Sequence, residues 1–513
     1  MLNKLNLKYL IKAHTQLGLF AIFFFFISAF FGTITLFLPQ IHTWENTSRY
    51  FTYEKEYNYK LDELVKRTIK EEDFNPNFIE IKLPSYRDNV IAINDPSSRT
   101  KYINPYTLKM LDTTSDNSFL SNFFNDLHIG RNIPKIGQLL MGIASILIIF
   151  LTVSGVILYL NKHKQNNSNF NFKWHKNISL ILLPYIIVFA LTGSVLGFML
   201  SSASPFAYAA TKTETSNMRS LVGPIIFPKD EIPKKSVVFE KFQSIDGLIN
   251  KAKESIPNLE VKTIKLLQWN DKNARIKIEG YLSNNRIITG RVNRVYVILN
   301  PISGEIIKKK DLSNSHIGNK SLSAFYFFHF IADETLFVRL IYLVLSLAFL
   351  LSLALGFLIW SERKASKYQD NRDYFNFTGR FAITIMFGVI PATALILVLY
   401  WALPSELFQR MIWIKGIFYS FWAFTLLLSV YYEDILDILK ALAFFTSVFL
   451  FSTIIAHIMV AKTSIATLVK AGTMHTALSF DLVLLILSVL FFLFYKYSHK
   501  IKFLAKHSRR YYA

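Results

Sequence analysis

The sequence predicts an all-α polytopic membrane protein of eight transmembrane helices, carrying two small α+β modules outside the membrane. Three observations predict it. The 513 residues are 52% hydrophobic and 15% aromatic, with only 18% charged. The apolar residues gather into eight blocks of about twenty or more, the length that crosses roughly 30 Å of hydrocarbon as a helix. Two long hydrophilic stretches, 39–135 and 201–335, interrupt those blocks. A soluble cytosolic enzyme is excluded by this pattern. The net charge of +22 does not indicate nucleic acid, because the lysines flank apolar blocks and loops and form no single basic face. The chain has no cysteine. Zinc–thiolate sites, iron–sulfur clusters and disulfides are therefore excluded, and a metal or redox centre must rest on histidine, methionine or carboxylates.

The first span, 17–38, follows a basic lead of Lys4, Lys8 and Lys12. Its apolar run is longer than that of a signal peptide and no small-x-small cleavage site follows, so it reads as an uncleaved span. The others fall at 136–160, 178–200, 336–360, 381–403, 411–431, 441–461 and 477–495. Lysine and arginine in short connections set the orientation. The connection 161–177 carries Lys162, Lys164, Lys173 and Lys176 with no acid; the connection 361–380 carries five basic residues against three acids; the tail 496–513 carries six basic residues. With eight spans these segments share one side, so both termini are expected in the cytoplasm. The link containing Glu433, Asp434 and Asp437 runs against the rule.

In the first hydrophilic stretch a helix is expected at 59–70. Strands follow near 78–83 and 89–94, and a strand and turn at 101–106 contain Asn104-Pro105. The second repeats the order: a helix at 245–255, strands near 261–267, 274–281 and 294–299, then the turn Asn300-Pro301-Ile302-Ser303-Gly304-Glu305. Proline presets φ and glycine accepts positive φ, which is turn chemistry. Each stretch reads as one helix on its own small antiparallel sheet. The unit span–module–span thus occurs twice, and such repeats organise a fold.

Histidine spacing follows the repeat. His14 precedes Gly32 by 18 residues and His175 precedes Gly193 by 18; His128 precedes Gly155 by 27 and His329 precedes Gly356 by 27. His14 and His175 are expected at the inner ends of spans one and three, His128 and His329 at the outer ends of spans two and four. Taken singly, each reads as an interfacial side chain. Paired by depth, they form two sets of two imidazoles near opposite faces of a four-helix bundle, a natural arrangement for bis-histidine ligation of haem iron. Eighteen residues are five full helical turns. Gly32 and Gly193 are therefore expected on the bundle interior near the outer haem, where a missing side chain makes room for a macrocycle. The 27-residue spacing gives half a turn and supports no such inference. Arg131, three residues after His128, would reach the same cofactor from one helical turn. The inner lysines Lys12, Lys173 and Lys176 would meet haem propionates or anionic lipid headgroups.

Residues 1 to about 365 resemble the PepSY-associated transmembrane proteins, a group of iron-regulated bacterial inner-membrane proteins that includes ferric-siderophore reductases. The resemblance rests on Ala13-His14 through Phe31-Gly32, Leu127-His128 through Ser154-Gly155, Trp174-His175 through Thr192-Gly193, and His329 through Gly356 to Trp360. The Asn-Pro turns resemble the end of a PepSY unit. The second keeps Gly304-Glu305, whereas the first departs with Leu108-Lys109. The resemblance implies two haem b groups held by His14, His175, His128 and His329. It also implies a cytoplasmic or quinol electron donor and a ferric siderophore or similar iron chelate as acceptor.

The last four spans lie beyond the resemblance. His457 and His475 are expected near the outer face, with interfacial histidine the default reading. Asp481 lies inside span eight, where an acid points to function, though pairing with Lys470 or His475 would make it structural. Lys415 is expected to snorkel. His42 and His316 in outer loops, and His163, His499 and His507 in inner segments, read as solvated. No dinucleotide fingerprint, phosphate loop or H-E-x-x-H motif occurs. Two other functions fit the same features: a non-enzymatic anchor whose outer modules bind a peptidase, and an iron-chelate transporter using the extra spans.

Overall fold

The computed structural model describes residues 4–51, 60–95, 99–111, 118–134, 136–161, 170–201, 231–239, 241–331, 335–461 and 477–500. Lys162, His163, Lys164, Lys470, His475 and His507 lie outside the described residues. The chain divides into two units: one of 1–45, 118–201 and 336–513, the other of 46–117 and 202–335.

The first elements in chain order are α1 (Lys4–Thr35), α2 (Leu38–Glu45), α3 (Leu61–Glu71), β1 (Phe78–Lys82), β2 (Ile91–Asn94), β3 (Thr100–Ile103) and α4 (Phe119–Ile129). Next come α5 (Gly137–Asn161), α6 (Phe170–Ile181), α7 (Leu183–Ser201), α8 (Ile245–Ser255), β4 (Leu259–Leu267), β5 (Arg275–Leu282), β6 (Val295–Leu299) and β7 (Ile306–Lys310). The remaining helices are α9 (Ile317–Phe330), α10 (Leu336–Lys367), α11 (Arg372–Ala402), α12 (Arg410–Thr425), α13 (Ile435–Val460) and α14 (Ala477–Tyr497).

The first unit is helical. Among the described residues 7 helices are long and apolar enough to span a membrane, or 8 when α6 and α7 count as one span bent by 69°. This makes the chain a multi-pass membrane protein. The bend departs from the straight third span expected from the sequence. Pro184 sits just past it and has no N–H to offer the carbonyl one turn back, so the helix breaks at Leu182. α1 packs on α4, α5 and α10, while α6 packs on α10 and α5 on α7. Ile148, Ile178, Leu182, Ile186, Ala190 and Leu355 form a buried apolar core there. α11 is the most enclosed helix, with Met386, Val389, Ala392 and Ile396 fully buried, and it packs on α10, α12 and α13. α2 and α4, expected within the first hydrophilic stretch, belong to this helical unit.

The second unit corrects the expectation of two separate sheets. All strands form one seven-stranded antiparallel sheet, ordered β3-β2-β1-β4-β5-β6-β7. The join is β1 with β4, in register Ile81↔Ile264 and Phe78↔Leu267. Alternating residues Ile79, Ile81, Ile93, Ile264, Leu266, Ile276, Ile278, Val295 and Val297 are buried on one face, the period-two pattern of a half-buried sheet. They share a single core with Leu61, Leu64 and Val65 of α3 and Leu248 and Ala252 of α8. Asp62 of α3 accepts the Ile245 N–H at 3.1 Å, capping α8, so the two helices are tied as well. The helix-then-strands order does occur twice, as expected.

Candidate functional site

His14 lies on α1, which runs unbroken from Lys4 to Thr35. Gly32 therefore returns to the same helical face five turns on, about 27 Å along the axis. The opposite pairing holds in space: His14, His128 and His175 each meet the glycine of a different helix. A Cβ at Gly155 of α5 would stand 3.5 Å from the His14 ring, and one at Gly356 of α10 would stand 3.2 Å from His175. A Cβ at Gly32 would stand 3.0 Å from both Cε1 and Nδ1 of His128. Gly32 thus faces the imidazole of His128. Gly155 and Gly356, from which the sequence spacing supported nothing, do the same work. The reason is that His128 is not on span two. It occupies the last turn of α4, which stops at Gly130 in the left-handed conformation (φ 80°), before α5 begins at Gly137. Counting turns from His128 to Gly155 along one helix therefore has no meaning.

The glycines open the flank of a helix to its own carbonyls. His128 Nδ1 is 2.8 Å from the Ser28 carbonyl oxygen, and His175 Nδ1 is 2.9 Å from that of Ser352. Each carbonyl is four residues before the facing glycine, where a side chain would otherwise cover it. A carbonyl only accepts, so Nδ1 bears the proton in both rings. His14 Nδ1 is 2.8 Å from Ser154 Oγ, whose own hydrogen goes to the Leu151 carbonyl at 3.1 Å. That hydroxyl too is an acceptor toward the ring. All three imidazoles thus have Nε2 as the lone-pair nitrogen, the form that ligates a metal. Ser28, Ser154 and Ser352 escaped the sequence reading; the Ser-x-x-x-Gly spacing of Ser28–Gly32 and Ser352–Gly356 is the signal that could have found two of them.

His14 and His175 lie near enough to influence one another electrostatically. A family model matches most of the chain: the model described as the PepSY-associated TM region covers residues 11–409. The chain belongs to this family. The PepSY-associated region takes in all four histidines and extends past the expected limit near 365, through α11. No curated protein matches the chain.

His329 lies in the second unit, on the last turn of α9 and not on span four, with its ring 5.5 Å from that of Phe330. Gly193 lies on α7, beyond the 69° break from His175, so the whole-turn argument applied to that pair does not hold. Arg131 lies beyond the end of α4, not on its last turn, and its guanidinium is 3.7 Å from Asp126. Of the lysine rim, Lys176 sits over the Tyr159 ring at 5.8 Å. His42 is partly buried, contrary to the solvated reading, whereas His316 is exposed as expected. His42 Nδ1 is 3.2 Å from Ser118 Oγ, and His316 accepts the Gly318 N–H at the start of α9. Lys415 lies over the rings of Phe119 and Phe123.

What places α4 is Glu45. Its carboxylate accepts the Leu120 N–H at 2.6 Å, the Ser121 N–H at 3.3 Å and the Ser121 hydroxyl at 2.5 Å. An acid at this position satisfies amides that the first helical turn leaves unpaired and meets the positive end of the helix dipole. His128 is carried at the far end of the helix so capped.

Proposed function

We propose that this membrane protein is a reductase that passes electrons from the cytoplasmic side of a bacterial inner membrane to a ferric siderophore or similar chelate outside. His14 and His175 would hold one haem b, and His128 would supply a ligand to a second. The observation that carries the reading is the shared geometry: His14, His128 and His175 each set Nδ1 within 2.9 Å of a carbonyl or hydroxyl oxygen near a glycine, which makes Nε2 the lone-pair nitrogen. Such second-sphere bonds orient an imidazole and raise its donor strength. When bound, haem supplies a reversible one-electron couple that a cysteine-free chain otherwise lacks. The chain's own residues hold the ligand rings at two depths, and the apolar helices around them exclude water. Both termini are then cytoplasmic.

The test is haem content per chain, measured as the pyridine haemochrome after expression with ample haem. His14→Ala and His128→Ala should each lose about half the haem, and the double variant nearly all, as two haem sites require. Wild-type chain that purifies without haem would overturn the reading and favour a peptidase-binding anchor. Equal, full retention in both single variants would remove the ligand assignment.

A further inference from the structure

We propose that the buried pair His457–Asp481 is a proton-binding site in the membrane region, separate from the four histidines above. It lies where the C-terminal end of α13 meets the start of α14, in the part of the chain past the family match. His457 is 0% exposed and Asp481 5%. His457 Nδ1 stands 2.8 Å from one carboxylate oxygen of Asp481 and 3.0 Å from the other. Trp44 of α2 donates its indole N–H to the same carboxylate at 2.9 Å. The rings of Trp44 and Trp401 lie 5.1 and 4.6 Å from the imidazole, so aromatic carbon encloses the pair. Trp401 Nε1, buried beside it, has no acceptor among the described residues. A donor left so is the kind of group that an internal water satisfies.

Among the described residues the other charged and titratable groups near the pair are turned elsewhere. From α2 the neighbouring titratable groups are Glu45, whose carboxylate is turned to the start of α4, and His42 beside it. From α11 comes Tyr400, whose hydroxyl donates to the Glu45 carbonyl. Arg410 of α12 gives its guanidinium to the backbone carbonyls of Leu403 and Tyr400. Among the described residues no lysine or arginine pairs with Asp481. An uncompensated carboxylate buried here is costly, and a proton on the imidazole makes the pair neutral overall. An apolar pair of the same volume would hold these helices at least as well, so an ionisable pair at this depth points to use, not to stability. The ligand is one proton, carried between His457 Nδ1 and the Asp481 carboxylate.

The experiment is infrared difference spectroscopy of the full chain in liposomes, with ring-¹³C histidine, titrated between acid and alkaline pH. One imidazole–imidazolium transition should vanish in His457→Gln. In Asp481→Asn the same transition should move down by at least one pH unit, a tenfold loss of proton affinity. Trp44→Phe, which removes a donor from the carboxylate, should move it up. Asp481→Glu keeps the charge and should retain the transition if the asparagine variant fails to fold. A transition that stays in place in Asp481→Asn, or no transition lost in His457→Gln, overturns the proposal.

Discussion

A single methyl group distinguishes the position that admits an imidazole from one that does not. Gly32→Ala would place a carbon 3.0 Å from two atoms of the His128 ring, and the ring cannot retreat without leaving the Ser28 carbonyl. On the proposed function, this variant should bind less haem than wild type, with the loss visible in the oxidised absorbance spectrum. Gly18→Ala, whose new carbon meets only Leu151 at 3.8 Å, should be unchanged. A Gly32→Ala protein with full haem and an unaltered spectrum would refute the role given to the bare helix flank. His14 and Gly32 could be picked from the sequence because their spacing along one unbroken helix is visible there. Ser154, Gly155 and Gly356 could not be given their roles, because these depend on which helix lies opposite.

At the scale of the element, α4 is a helix of 11 residues, short enough that its ends decide its stability. Burial pushes the Glu45 carboxyl up from 4.5 to about 7, against the lowering influence of Ser121, Leu120 and His42. A folded-state value above the unfolded one means the native chain binds the extra proton. Stability from this group is then complete below about pH 4.5 and falls as pH rises toward 7. The loss amounts to roughly 3 kcal/mol across that window. Glu45→Gln, fixed in the neutral form, should flatten the decline; thermal unfolding of the two proteins at pH 4.5 and 7 compares the slopes. Parallel slopes would show that Glu45 does not titrate there. The spans themselves were legible because a run of apolar residues needs no partner to be recognised. The break in the third span was legible only as Pro184, a signal easily absorbed into an otherwise uniform run.

At the scale of the whole chain, the single sheet is what the sequence could not disclose. Strand periodicity marks which residues face a core, but β1 and β4 lie about 180 residues apart, and nothing local says which edge meets which. Ile264 pairs with Ile81 at that join, and both are 0% exposed. A buried, unpaired carboxylate at this position should cost on the order of 4 kcal/mol. Ile264→Asp is therefore expected to open both hydrophilic stretches together, so that limited proteolysis cuts within 60–111 as readily as within 241–310. Cleavage confined to the second stretch would mean that the halves are independent after all.

The palindromic strand order has a further consequence. Two like halves meeting edge to edge through antiparallel strands make the contact by which identical subunits form a two-fold dimer. Here the partner edge arrives on the same chain, so its local concentration is set by the connecting residues and not by expression level. An edge strand that would invite pairing with strangers is always occupied by its own relative. The protein carries its quaternary interface as tertiary structure, and dilution cannot separate the halves.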